Sequence, residues 1–146
     1  MNAGDQFHVG IVADDFAAAM HDLTETFGYE WAPEICTEVR VWLAHGETSV
    51  ELRIAYSRST PRVEMVQRVE GTVWTPTPDS GLHHLGYWSD DLDADVAALE
   101  AAGYAVEARD RRPDGGSSWV YLARAGGPRV ELVSRELQPA LEGYWS

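Results

Sequence analysis

From Gln6 to Ala13, and again from Leu82 to Ser89, apolar side chains fall at every second position, the period of a strand with one face in a core. In the first run Phe7, Val9 and Ile11 point one way and His8, Gly10 and Val12 the other. The apolar trio is expected to meet a helix, which leaves His8 on the opposite face. Each run leads into an alanine-rich stretch preceded by paired aspartates and followed by a glycine. This pattern predicts helices over about residues 15 to 27 and 91 to 102, with Asp14 or Asp15 and Asp90 or Asp91 as N-caps. Gly28 and Gly103 suit the left-handed position just past each C-terminus. In the second helix Leu92, Val96, Leu99 and Ala102 recur at spacings of three and four, one stripe to lay on a sheet.

Further strand-like runs follow at 39 to 44, 50 to 56 and 63 to 69, then at 104 to 109, 119 to 123 and 129 to 134. Turn formers separate them at His45-Gly46, Ser57 to Thr60, Arg112 to Gly116 and Gly126-Gly127. Residues 71 to 80, GTVWTPTPDS, read as a linker, and the tail from Pro139 takes no assignment.

The two halves repeat each other. His8-Val-Gly-Ile-Val-Ala-Asp-Asp lies over His84-Leu-Gly-Tyr-Trp-Ser-Asp-Asp, 76 residues on, and Gly28-Tyr29 answers Gly103-Tyr104. Pro61-Arg-Val-Glu-Met-Val66 returns as Pro128-Arg-Val-Glu-Leu-Val133. The expected architecture is α+β: βαβββ modules at residues 1–70 and 81–146, joined by the 71–80 linker, with helices outside a mixed sheet.

Composition narrows the function. A chain of 146 residues with 45% hydrophobic residues can build a core. It has no apolar run near the roughly 20 residues that span a bilayer and no signal-like N-terminus, so a soluble cytoplasmic protein is expected. Its one cysteine, Cys36, excludes intrachain disulfides and thiolate clusters. A net charge of -13 repels nucleic-acid phosphates and anionic lipid. Arg109, Arg111 and Arg112 form a basic patch whose bland reading is a solvated loop edge.

On the last strand of each module Val63 and Met65, or Val130 and Leu132, share a face, which leaves Glu64 and Glu131 on the other. A carboxylate in an apolar strand is costly unless paired or ligated. Alone, a strand histidine is usually a hydrogen-bonded structural residue and an edge glutamate is usually solvated. Recurrence at equivalent places in both modules makes His8, Glu64, His84 and Glu131 candidates for an N2O2 shell around one divalent ion, Zn, Ni, Co, Mn or Fe. Trp42, Tyr56, Trp88, Trp119 and Tyr121 are candidates for a substrate-binding aromatic pocket, against the commoner reading of plain core. Gly10 and Gly86 are expected to leave room for a bound molecule.

The segments FHVGIVADD, VEMVQ, GLHHLGYWSDDLDADVAALEAAGY and PRVELV resemble the vicinal oxygen chelate superfamily of glyoxalases, bleomycin-resistance proteins and dioxygenases. The resemblance covers nearly the whole chain. It implies an open half-barrel sheet around a metal, with ligands from the first and last strands of each module, where His8, Glu64, His84 and Glu131 fall. The His-Glu-His-Glu set resembles glyoxalase I, and the linker and second module resemble methylmalonyl-CoA epimerases. The implied chemistry is chelation of a small substrate through adjacent oxygens, with proton abstraction beside a carbonyl. By the same resemblance Glu51, in Ser49-Val-Glu-Leu-Arg-Ile-Ala55, is a candidate base, with a solvent-facing residue as the alternative; Glu131 is another. The leading expectation is a metal-dependent isomerase, epimerase or glyoxalase-like lyase, and a homodimer. An extradiol-type dioxygenase or a non-catalytic drug-binding protein is the alternative.

Overall fold

A computed structural model describes residues 1–146. Eight strands and three helices form it. β1 (Gln6–Ala13), α1 (Phe16–Phe27), β2 (Ile35–Leu43), β3 (Gly46–Tyr56) and β4 (Val63–Gln67) make one βαβββ unit. β5 (His84–Ser89), α2 (Leu92–Ala101), β6 (Ala105–Asp110), β7 (Trp119–Ala123) and β8 (Val130–Ser134) make the second. A last helix, α3, spans Gln138–Trp145 in the tail that carried no assignment.

The helices begin and end where the side-chain chemistry predicts. Asp15 and Asp91 accept from the backbone N–H of Ala18 and Ala94, satisfying donors that the first turn leaves unpaired. Gly28 closes α1 at φ 75°, a left-handed conformation costly to any residue with a Cβ. Both helices lie outside the sheet. Phe16 of α1 packs on Ala55 and Met65, and Val96 of α2 on Val120, Leu122, Val130 and Leu132. Full burial of Phe16 contributes about 1.5–3 kcal/mol.

The mixed sheet follows the order β1-β4-β3-β2-β6-β7-β8-β5, and β5 returns to pair antiparallel with β1. The expected open half-barrel is therefore closed. Closure runs through three pairs, Val41 with Asp110, Trp42 with Arg109 and Leu43 with Ala108. It seals an apolar interior in which Val41, Leu43, Val50, Leu52 and Ala108 from both sides of that seam share one cluster. Hydrophobic burial rewards joining the two edges, and closing a barrel removes exposed strand edges.

Two further features depart from expectation. Residues 71 to 80 do more than connect: Trp74 is buried in that same cluster, and its carbonyl accepts from Val69 N–H. Of the trio Phe7, Val9 and Ile11, only Ile11 packs in the cluster under α1; Phe7 and Val9 line a cavity beside His8. A bulge in β1 between Gln6 and His8, opposite Tyr87 and Gly86, re-aims Phe7, and its ring stacks on Trp88 at 3.7 Å. Trp88, Tyr56, Val133, Ala32 and Trp145 of α3 form the cluster there.

Candidate metal centre

Two rows of directly paired residues cross the β1/β5 seam and build the site. One runs Tyr56, Glu64, Gly10, His84 across β3, β4, β1 and β5; the other runs Tyr121, Glu131, Gly86, His8 across β7, β8, β5 and β1. Each imidazole covers the glycine opposite it. A Cβ on Gly10 would lie 1.9 Å from the His84 ring, and one on Gly86 would lie 2.0 Å from that of His8. The space expected at these glycines is thus filled by the histidines themselves.

All four candidate ligands are buried, and one donor atom from each lies within 4.8 Å of the others. His8 Nε2 and His84 Nε2 are 2.9 Å apart. Glu131 Oε2 is 3.1 Å from His8 Nε2 and 3.4 Å from His84 Nε2, and Glu64 is 3.8 and 3.5 Å from the same atoms. Donors on a divalent ion with bonds of about 2.0–2.2 Å stand about 3.0–3.6 Å from each other, so the cluster fits such an ion with little adjustment. Glu131 Oε2 is buried without a hydrogen-bond partner although two imidazole nitrogens flank it, as a ligand oxygen would be.

The surrounding contacts fix the lone pairs. His83 Nε2 donates to the Val73 carbonyl at 2.7 Å, which leaves His83 Nδ1 as an acceptor, and His84 Nδ1 is 2.9 Å from it. That chain places the His84 proton on Nδ1 and leaves Nε2 free to ligate, the tautomer a metal-binding histidine needs. No motif in the sequence marks His83; its supporting role depends on the Val73 carbonyl. Phe7 precedes His8 as His83 precedes His84 but offers an aromatic edge, and His8 Nδ1 is buried without a partner.

Electrostatics favour cation capture. Burial works against a charged His84, but the Glu131 and Glu64 carboxylates outweigh it and hold its pKa up at about 9. Burial likewise opposes ionisation of Glu131, yet the two imidazoles hold its carboxyl below the ordinary range. Burial and the neighbouring His84 push His83 down to about 3. Tyr56 and Tyr121 are raised well above the usual phenol value, by burial first and the two carboxylates next, so both remain donors. Tyr56 donates to Glu64.

The aromatic candidates divide. Tyr56 and Tyr121 flank the histidines, with ring centroids 5.8 Å from His8 and 5.0 Å from His84. Trp88 lines a cavity beside His8, whereas Trp119 packs edge-on against Trp74 and Tyr121 as core. Trp42 lies between the inward Val41 and Leu43, so parity turns it to the outer face, half-buried. Glu51 is likewise not brought to the site. Val50 and Leu52 face the interior, which puts Glu51 outside and exposed. The basic patch disperses, with Arg111 on Glu47 and Arg112 on Asp114.

Residues 7–122 match the family model of the Glyoxalase/Bleomycin resistance protein/Dioxygenase superfamily, and the chain belongs to that superfamily. Solved structures with this fold include a variant of the Streptomyces coelicolor methylmalonyl-CoA epimerase in complex with 2-nitronate-propionyl-CoA. That match has a TM-score of 0.59 at 21% identity, over 89% of this chain and 96% of the other. The Mycobacterium tuberculosis methylmalonyl-CoA epimerase matches with a TM-score of 0.59 at 20% identity, over 89% and 87% of the two chains. No curated protein matches by sequence. No helix is long and apolar enough to cross a membrane.

Proposed function

We propose that this chain is a metal-dependent isomerase or epimerase that moves a proton beside the carbonyl of a small organic substrate held at His8, Glu64, His84 and Glu131. The observation that carries this reading is the buried N2O2 cluster, with a ligating lone pair on His84 set by the His83–Val73 chain. When bound, a divalent ion acts as a Lewis acid on the carbonyl oxygen. Glu64 is the fixed carboxylate, because Tyr56 donates to it. Glu131 is the carboxylate that takes the proton, giving up its place among the four donors to do so. Glu51, on the outer face, has no part in the step. Two copies are proposed to pair, which light scattering checks; a monomer mass refutes the pairing and leaves the site untouched.

Elemental analysis of untagged protein tests the site. About one divalent ion per chain, lost in His8→Ala and Glu131→Ala, is expected; no uptake of Zn, Ni, Co, Mn or Fe(II) overturns the reading. Loaded protein is then incubated in deuterated water with a panel of acyl-CoA thioesters and hydroxy-ketones. Deuterium in a recovered substrate supports proton transfer, and none across the panel favours the second reading, a small-molecule-binding protein. That alternative draws on the aromatic cavity beside His8.

A further inference from the structure

The cavity beside His8 has a volume of 310 Å³, at the small end of the range that holds organic ligands. Phe7, Trp88 and Trp145 give it aromatic walls, and His8 connects it to the buried cluster. Two buried polar atoms of its lining residues, His8 Nδ1 and Trp145 Nε1, have no hydrogen-bond partner. Both atoms are sealed from solvent, so the polar chemistry of the cavity itself rests on its other side chains.

The charge on the wall narrows its chemistry. All eleven cationic side chains of this acidic chain are arginines, and eight have a carboxylate within 4.0 Å. Arg62 has none, yet it lines this cavity. Its Nη1 donates to the carbonyls of Ser57 and Arg58, and its guanidinium lies 3.9 Å over the Trp145 ring, held in place without an ion pair. Glu142, the one acid on the lining, is bound by Gln138 and makes no ion pair with Arg62.

We propose that this cavity is an anion-selective substrate subsite, taking a flat apolar group that ends in a carboxylate or phosphate paired with Arg62. This deepens the proposed function by assigning its substrate class: a small compound that is anionic at the end remote from the reacting carbonyl.

Titrations of the full chain with 1-naphthoate and its uncharged isostere 1-naphthamide, followed by tryptophan quenching and calorimetry, test this with and without bound zinc. Naphthoate is expected to bind at least tenfold tighter, with or without zinc. Arg62→Gln should remove that preference, Arg62→Lys should restore most of it, and Arg124→Gln, on an arginine that stacks on Tyr104 outside the cavity lining, should change nothing. Equal affinity for the two compounds in the wild type, or no binding of either, overturns the proposal. A preference present only with zinc and kept in Arg62→Gln also overturns it, because the metal is then the anion's partner. If zinc never binds but the Arg62-dependent preference holds, the catalytic reading fails and the subsite stands.

Discussion

Gly10→Ala is the sharpest perturbation of this site. The new methyl carbon would sit 1.9 Å from His84 Cε1 and 2.3 to 2.4 Å from both ring nitrogens. Ordinary carbon contacts are about 3.5–4.0 Å, so the imidazole must withdraw by about 1.5 Å or more. It has nowhere to go, with His83 Nδ1 at 2.9 Å behind it and the Tyr121 ring at 5.0 Å. Overpacking a rigid core costs about 1–3 kcal/mol, and here the upper end is expected. At about 2 kcal/mol per molar urea, a loss of about 3 kcal/mol lowers the unfolding midpoint by about 1.5 M in protein kept free of metal by chelator. Metal affinity should fall by more than the 10- to 100-fold typical of losing a ligand's supporting contact, because a ligand itself moves. Gly28→Ala is the control: its Cβ meets nothing within 4 Å and pays only for its positive φ, about 1–2 kcal/mol, with metal affinity unchanged. Wild-type stability and metal affinity in Gly10→Ala would refute the packing argument.

Three other outcomes are expected. Metal and proton compete for His84 Nε2, so zinc affinity measured with a competing chelator should climb as pH rises from about 6.5 towards about 9; a flat profile argues against His84 as a ligand. For the metal-free protein the raised His84 pKa gives stability that is full below the unfolded value and lost as pH rises through about 9. The depressed His83 pKa removes stability as pH falls from 6.5 to about 3, so urea midpoints should peak near pH 6.5 and fall on both sides. Tyr56→Phe leaves Glu64 without its donor and should weaken metal binding about 10- to 100-fold, whereas Glu51→Gln, on the outer face, should leave metal content and any proton exchange at wild-type values.

Much of this site was legible because strand parity and a repeat reinforce each other. His8 and Glu64 share the inward face with Gly10 and Val12, and the second module repeats the arrangement, so the four-residue cluster could be assembled from residue order alone. Tyr56 and Tyr121 were legible as pocket aromatics, but their pairing with the glutamates was not, because Tyr56 lies eight residues before Glu64 and Tyr121 ten before Glu131, so no fixed offset aligns them. Phe7 was misplaced because a bulge inserts one residue and breaks the period-two count from which its direction was read. Closure of the barrel depends on β2 meeting β6, a pairing between modules that no local pattern encodes. Trp74 was hidden by the Thr-Pro steps around it, which mark a turn but not what the turn buries.

The crossed placement of the histidines has a thermodynamic consequence. His8 rests on a glycine of the second module and His84 on a glycine of the first, so each half holds only one histidine and one glutamate, and the four candidate ligands meet only once β1 and β5 have paired. A divalent ion held by all four would bind the joined state alone, and mass action would convert its free concentration into stability of that junction. At a hundred times the dissociation constant the gain is about 2.7 kcal/mol. In a cell the free metal level would therefore set how tightly the two halves of one chain hold together.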